Sequence, residues 1–227
     1  MAEPVSNFVT PAPRAATGGS DLARTVLRAA WLSIALGLLI ELLIVVSMML
    51  GGAAGSLPRI VADSVQKVSW STIVCLGIAF GTAAGKARSA VMGILGLISA
   101  PIGFTVARTL HKGTLEALGV AGTAAGGASP LLIGGLKGLE YGILGMVIGW
   151  VGRQAWGGFG AHAGAGASIG FIFGGAILGV MVRDAAMPLT TTDLIARGIN
   201  ELLFPVGCAL VLYAAGRLGQ RLGVEPS

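Results

Sequence analysis

The sequence predicts an all-α integral membrane protein in which about six transmembrane helices form three tandem two-helix hairpins. First, the 227-residue chain is 54% apolar and only 11% charged, which leaves too few polar side chains to cover a water-exposed surface. Second, a proline is followed nineteen residues later by a glycine three times, at Pro58 and Gly77, Pro130 and Gly149, and Pro188 and Gly207. Three similar copies would form a pseudo-threefold bundle.

Six apolar stretches have about the length that a spanning helix needs. Crossing ~30 Å of hydrocarbon takes about 20 helical residues. The candidates are residues 29–50, 68–84, 91–107, 130–151, 163–182 and 202–215. The predicted hairpins cover residues 28–87, 88–154 and 155–219, between polar tails at 1–27 and 220–227. These tails are short, so we expect no soluble catalytic domain.

The first hairpin carries an acidic residue, Glu41, near the middle of its first span. A charged side chain at that depth raises the free energy of insertion by at least about 2.5 kcal/mol, unless it has a partner of opposite charge or faces a water-filled cavity. The Glu41 side chain is too short to reach the membrane interface. Glu41 is therefore the residue that we single out as functional. Pro58 predicts the start of the second helix, and Asp63 and Lys67, one turn apart, predict a local ion pair.

The second hairpin places two further charges inside the hydrocarbon layer. After Glu140 only twelve uncharged residues precede Arg153, about 18 Å of helix, which cannot cross the layer. Lys137 and Glu140 are therefore predicted inside it. We expect them to pair with each other, or Lys137 to reach Glu41.

The third hairpin repeats the pattern P-x4-D-x3-[KR] of the first with Pro188, Asp193 and Arg197, which predicts another proline-started helix and local ion pair. After Glu201, fifteen uncharged residues precede the next arginine, about 22 Å of helix. Asn200 and Glu201 are therefore candidates for a polar interior. Snorkelling at helix ends or a structural ion pair is the competing interpretation for the charges in the second and third hairpins.

Glycine, cysteine and tryptophan indicate packing rather than chemistry. Ladders such as Gly77, Gly81 and Gly85 predict close contacts between helices. Cys75 and Cys208 fall inside apolar spans, where buried free thiols are expected, although a bridge between them stays open. The tryptophans are expected in the interfacial aromatic belt. They are Trp31, Trp70, Trp150 and Trp156.

Several function classes lack support in the sequence. His111 and His162 lie at opposite ends of adjoining segments, so they do not predict haem ligation, and no cofactor or metal is expected. No Ser-His-Asp set or HExxH helix predicts an enzyme. The net charge of +5 is spread over the span ends, where it meets lipid headgroups, and no basic run predicts nucleic-acid binding.

The positive residues also bear on orientation. Eight lysines and arginines flank the spans on the side of the N terminus and six on the other side. Positive residues concentrate on the cytoplasmic side. We therefore expect a bacterial inner-membrane protein with both termini in the cytoplasm.

Buried charge makes a channel or transporter for a small ion or polar solute the expected function. The pathway candidates are Glu41, Lys137, Glu140, Asn200 and Glu201, and the mouth candidates are Asp63, Lys67, Asp193 and Arg197. Glu41 would bind the ion and Lys137 would be its counter-charge. The alternative is a non-catalytic structural or assembly subunit of a larger membrane complex that packs through glycine-rich helix faces. Expected partners are membrane lipid, further copies of the chain or other membrane subunits.

Overall fold

The computed structural model describes residues 17–53, 55–120, 128–185 and 187–221. These residues form helices joined by short turns and loops, with no strand among them. Most of the predicted tails, residues 1–16 and 222–227, lie outside the described residues. The helices are α1 (Thr17–Leu50), α2 (Leu57–Phe80), α3 (Arg88–Ala117), α4 (Pro130–Val151), α5 (Phe159–Ile169), α6 (Gly175–Arg183) and α7 (Thr191–Arg221). A π-helical segment, Gly170–Gly174, makes α5 and α6 one continuous helical stretch.

Five helical stretches among the described residues are long and apolar enough to cross a membrane. They are Leu22–Leu50, Gly85–Ala117, Pro130–Val151, Phe159–Arg183 and Thr191–Arg217. The described part of the chain is thus all-helical and contains five candidate spans. The predicted sixth span corresponds to α2, whose N-terminal half carries Arg59, Asp63 and Lys67 and is too polar to qualify. The three-hairpin, pseudo-threefold arrangement stays a prediction.

Two of the three predicted proline-started helices begin as expected. Pro58 and Pro130 lie in the first turns of α2 and α4. The prediction is wrong for Pro188, because α7 begins three residues later, at Thr191. The Asp193 N–H donates to the Thr190 hydroxyl oxygen at 3.1 Å, and the Thr190 N–H donates to the Asp193 carboxylate at 3.2 Å. This reciprocal capping box fixes the start of the helix.

Each helix from α1 to α4 packs against the next one, and α7 packs against both α5 and α1. In the core, Trp70 of α2 makes edge-to-face contacts with Tyr141 of α4 and Phe204 of α7, at ring-centroid distances of 5.4 and 6.3 Å. Trp70 is therefore a core residue, which corrects its predicted place in an interfacial belt. Trp31, Trp150 and Trp156 are exposed.

Glycines allow the helices to approach closely, as the ladder predicts for Gly77 and Gly81 at the C-terminal end of α2, which meet α3, but not for Gly85, where an added Cβ atom would have no neighbour within 4 Å. A Cβ atom added at Gly145 of α4 would lie 2.3 Å from the carbonyl oxygen of Met92 in α3. One added at Gly96 of α3 would lie 2.1 Å from the carbonyl oxygen of Tyr141. Both distances are far below van der Waals contact, so any side chain at these positions would separate the two helices.

The two cysteines meet in the core between α2 and α7. Cys75 and Cys208 are free thiols, both fully buried, and their sulfur atoms lie 3.3 Å apart. Their distance in sequence gives no hint of this contact. The contact joins the C-terminal half of α2 to the middle of α7.

Candidate functional site

A cavity of about 430 Å³ lies at the end of the bundle opposite the N terminus, where the N-terminal halves of α2, α4 and α7 converge. All four mouth candidates line it, namely Asp63, Lys67, Asp193 and Arg197. Three of the five pathway candidates line it as well, namely Lys137, Asn200 and Glu201. The structure thus brings together seven of the nine predicted site residues from three different helices.

The Lys137 side chain is the centre of a buried ionic cluster. Its Nζ lies 3.1 Å from Oε2 of Glu140 and 2.5 Å from Oε2 of Glu201. The exposed fractions of Lys137, Glu140 and Glu201 are 3%, 0% and 3%. We call these three residues the Lys137 triad.

The helices explain how the triad forms. Lys137 and Glu140 lie one turn apart on α4 and so share a face. Glu201 comes from α7, where the Asn200 side-chain amide donates to its Oε1 at 3.0 Å. The π-helical segment packs closely here, because a Cβ at Gly174 would lie 2.3 Å from the Glu201 carbonyl oxygen.

Two aromatic rings complete the surroundings of the Lys137 ammonium group. Its Nζ lies 5.5 Å from the centroid of the Trp70 ring and 5.7 Å from that of Tyr141. Both distances are within the range of cation–π attraction, which stabilises a desolvated cation. Sequence reasoning missed both rings, since neither aromatic residue has a pattern that separates a cation contact from ordinary core packing.

Glu41 is buried and belongs to a second ion pair. The distance from Lys67 Nζ to Glu41 Oε2 is 2.9 Å, and Glu41 is 4% exposed. The predicted pairing of Lys67 with Asp63 is therefore wrong. Of the two partners expected for Lys137, the structure shows Glu140 and not Glu41. A carboxylate buried in α1 gains more from a close ammonium group than Asp63, whose side chain is 40% exposed.

Asp63 contacts a histidine that the sequence did not assign to the site. The distance from His111 Nε2 of α3 to Asp63 Oδ1 is 3.0 Å. Asp193 is likewise engaged elsewhere, because its carboxylate accepts hydrogen bonds from Thr190. The predicted ion pair between Asp193 and Arg197 is not found among the described residues. The Asp193 carboxylate accepts the hydrogen bonds of the capping box instead.

A second cavity, of about 480 Å³, adjoins the first. Glu41, Ser56 and Arg59 are among its lining residues, and Met48 and Asp63 line both cavities. Glu41 therefore faces a cavity of its own beside the larger one. Glu140, the fifth pathway candidate, lines neither cavity.

Three buried polar atoms in or next to the triad have no hydrogen-bond partner among the described residues. They are Oε1 of Glu140, the hydroxyl oxygen of Tyr141 and Oε2 of Glu201, and the last of these lies in ion-pair contact with Lys137. Buried polar groups are normally satisfied, so each such atom calls for an explanation. The described part of the chain holds no group of three or more His, Cys, Asp or Glu side chains that could bind a metal ion.

Comparison with protein families, curated proteins and solved structures found no match to this chain. The geometry of the buried charges therefore carries the functional argument.

Proposed function

We propose that this protein is a channel or transporter that moves a small ion or polar solute across the membrane through its buried charged residues. The observation that carries the proposal is the cavity of about 430 Å³ that extends from Asp193 and Arg197 to the buried Lys137 and Glu201. Charges inside a membrane protein are costly and mark ion or solute pathways.

The topology that we propose has six spans, with α2 as the sixth. Its charged residues Asp63 and Lys67 line cavities, so they need not face lipid when α2 crosses the membrane between α1 and α3. The three hairpins, the bacterial inner membrane and the cytoplasmic termini belong to this proposal. We also propose that the protein is not an enzyme.

The pathway residues have distinct roles in this proposal. Glu41, with Lys67 as its counter-charge, is a binding site beside the main cavity. Lys137 and Glu201 form the floor of the cavity, and Asn200 orients Glu201 through its hydrogen bond. Asp63, Lys67, Asp193 and Arg197 form the mouth.

The first test is ion and solute flux into liposomes that contain the purified protein. We expect Glu41→Gln to lower flux about tenfold or more, because the change removes a buried ion-binding charge. Insertion and elution from a sizing column should not change. The matched control is Glu116→Gln on α3, whose carboxylate is exposed beside Lys112. Flux that is equal in the two variants would remove Glu41 from the pathway.

A separate observation favours the second candidate, a subunit of a membrane complex. Along the α5–α6 stretch, Gly160, Gly164, Gly175 and Gly179 are exposed with open space beside them, and Phe171 is 77% exposed. A face of small residues allows another helix to approach closely.

Native mass spectrometry of the protein extracted gently from its own membrane separates the two candidates. A monomer or homo-oligomer supports the transport proposal. A particle that always contains other polypeptides supports the subunit proposal, and the α5–α6 face is where their helices would then pack.

A further inference from the structure

The Lys137 triad carries more negative than positive charge when all its groups are ionised. One ammonium group contacts two carboxylates, and each of the three residues is at most 3% exposed. The ionised triad would therefore hold one uncompensated negative charge in a medium of low dielectric constant. A buried charge without a partner costs several kcal/mol, so the site calls for one additional positive charge.

Polar contacts distinguish the two carboxylates. Both oxygens of Glu201 have a polar neighbour, because Oε1 accepts a hydrogen bond from Asn200 and Oε2 lies in ion-pair contact with Lys137. Only one oxygen of Glu140 has such a neighbour, because Oε2 accepts from Lys137 while the buried Oε1 has no partner among the described residues. A donor or a positive charge next to a carboxylate oxygen stabilises its negative charge. Oε1 of Glu140 is therefore the carboxylate oxygen of the triad that lacks this stabilisation.

Among the residues that the structure describes, no other group near Glu140 supplies the missing charge. The titratable groups facing it are Lys137 and Tyr141 on its own helix and Glu201 and Cys208 on α7, with Cys75 on α2 next to Cys208. Lys137 is the one cation among them, and Glu201 already shares it. The nearby Lys67 is committed to Glu41.

We propose that Glu140 binds one proton and that this proton is the ion that the protein moves or uses to drive transport. A hydronium ion in the cavity gives its proton to Glu201 and leaves as water. Lys137 contacts both carboxylates, so it takes this proton from Glu201 and gives one of its own to Glu140, which changes the charge of the triad from −1 to zero. The transport part rests on the proposed function, whereas the proton site does not.

A proton fits this site better than a metal cation. Hard cations take about six oxygen ligands, whereas Oε1 of Glu140 is buried without any polar partner among the described residues. A proton needs only that one oxygen.

Infrared spectroscopy of the full-length protein in lipid, in sodium-free buffer near neutral pH, tests the proton site directly. We expect the carbonyl stretch of a buried carboxylic acid, which is lost in Glu140→Gln and kept in the control Glu116→Gln. Glu201→Gln should also abolish the band, because it leaves one carboxylate opposite Lys137 and removes the need for the proton.

Three results would overturn the proton site. They are the absence of the band from the unaltered protein, its survival in Glu140→Gln, and its loss when sodium is added at constant pH. The first and third use the natural sequence, so they do not depend on how well a variant folds.

A flux measurement with a pH-sensitive dye inside the liposomes separates this inference from the proposed function. The expected band together with proton flux that Glu140→Gln abolishes supports both. The expected band without any flux supports the proton site and contradicts transport. Flux of an ion or solute without the band supports transport and contradicts the proton site.

Discussion

At the scale of single residues, the charged side chains of Lys137, Glu140 and Glu201 lie buried together in the core of the bundle. The lengths of the uncharged runs predict that Lys137 and Glu140 lie inside the hydrocarbon layer and that Glu201 belongs to a polar interior, and the depth in the membrane stays a prediction. Their pairing was harder to predict, because a contact such as Lys137 with Glu201 depends on how two distant helices face each other. Spacing along one helix gave only the Lys137 and Glu140 pair.

The charge count of the triad predicts how its variants rank in stability. Lys137→Met leaves two buried carboxylates without a cation, and we expect it to lower the free energy of unfolding by about 3–5 kcal/mol. Glu201→Gln leaves one balanced ion pair, so we expect a loss of about 1 kcal/mol. Thermal unfolding in detergent would show the order, with the exposed Lys112→Met as control. Equal losses in the two triad variants would contradict this reading of the charge balance.

At the scale of helices, glycine contacts determine how close the elements lie. The contact between α3 and α4 depends on backbone atoms that meet where Gly96 and Gly145 have no side chain. Sequence patterns predicted such faces but not their partners. These patterns also predicted the wrong start for α7. The helix begins at the capping box of Thr190 and Asp193 and not at the repeated proline, Pro188.

Gly145→Ala tests the close contact of α3 and α4. The added Cβ would meet the Met92 carbonyl group, so we expect a loss of about 1–3 kcal/mol in stability. Gly135→Ala is the matched control, because it changes the same helix at an exposed position with nothing within 4 Å. Thermal unfolding of the two variants gives the comparison. If Gly145→Ala were as stable as the control, the helices would not depend on this contact.

At the scale of the whole molecule, composition was enough to predict an all-helical membrane protein, and five candidate spans agree with that class. The count differs from the predicted six by one because the charged residues in the N-terminal half of α2 lower its hydropathy below that of a spanning helix. Two of these residues, Asp63 and Lys67, line the main cavity. The predicted repeat depends on a few positions in each copy, and it does not specify which helices pack against each other.

Labelling from one side of the membrane tests whether α2 spans it. The exposed Ser56 precedes α2 and the exposed Lys86 follows it. If α2 crosses, a membrane-impermeant maleimide should label Ser56→Cys and Lys86→Cys from opposite sides. The two natural cysteines are fully buried, so labelling of the unaltered protein gives the background level. Labelling of both variants from the same side would leave α2 as a helix that does not cross.

The apolar packing beyond the Lys137 triad affects the rate of the transport that we propose. Toward the N-terminal end of the molecule, the space between α2, α4 and α7 is filled by buried Ile78, Leu144, Ile148, Cys208 and Leu212, members of one apolar cluster. In the pathway that we propose, water and ions that enter from the mouth would meet this apolar cluster, which is closed in this conformation. A transporter that is closed at one end must open there for each crossing, and such collective motions occur on the microsecond to millisecond scale. We therefore expect a flux that saturates with concentration and depends strongly on temperature.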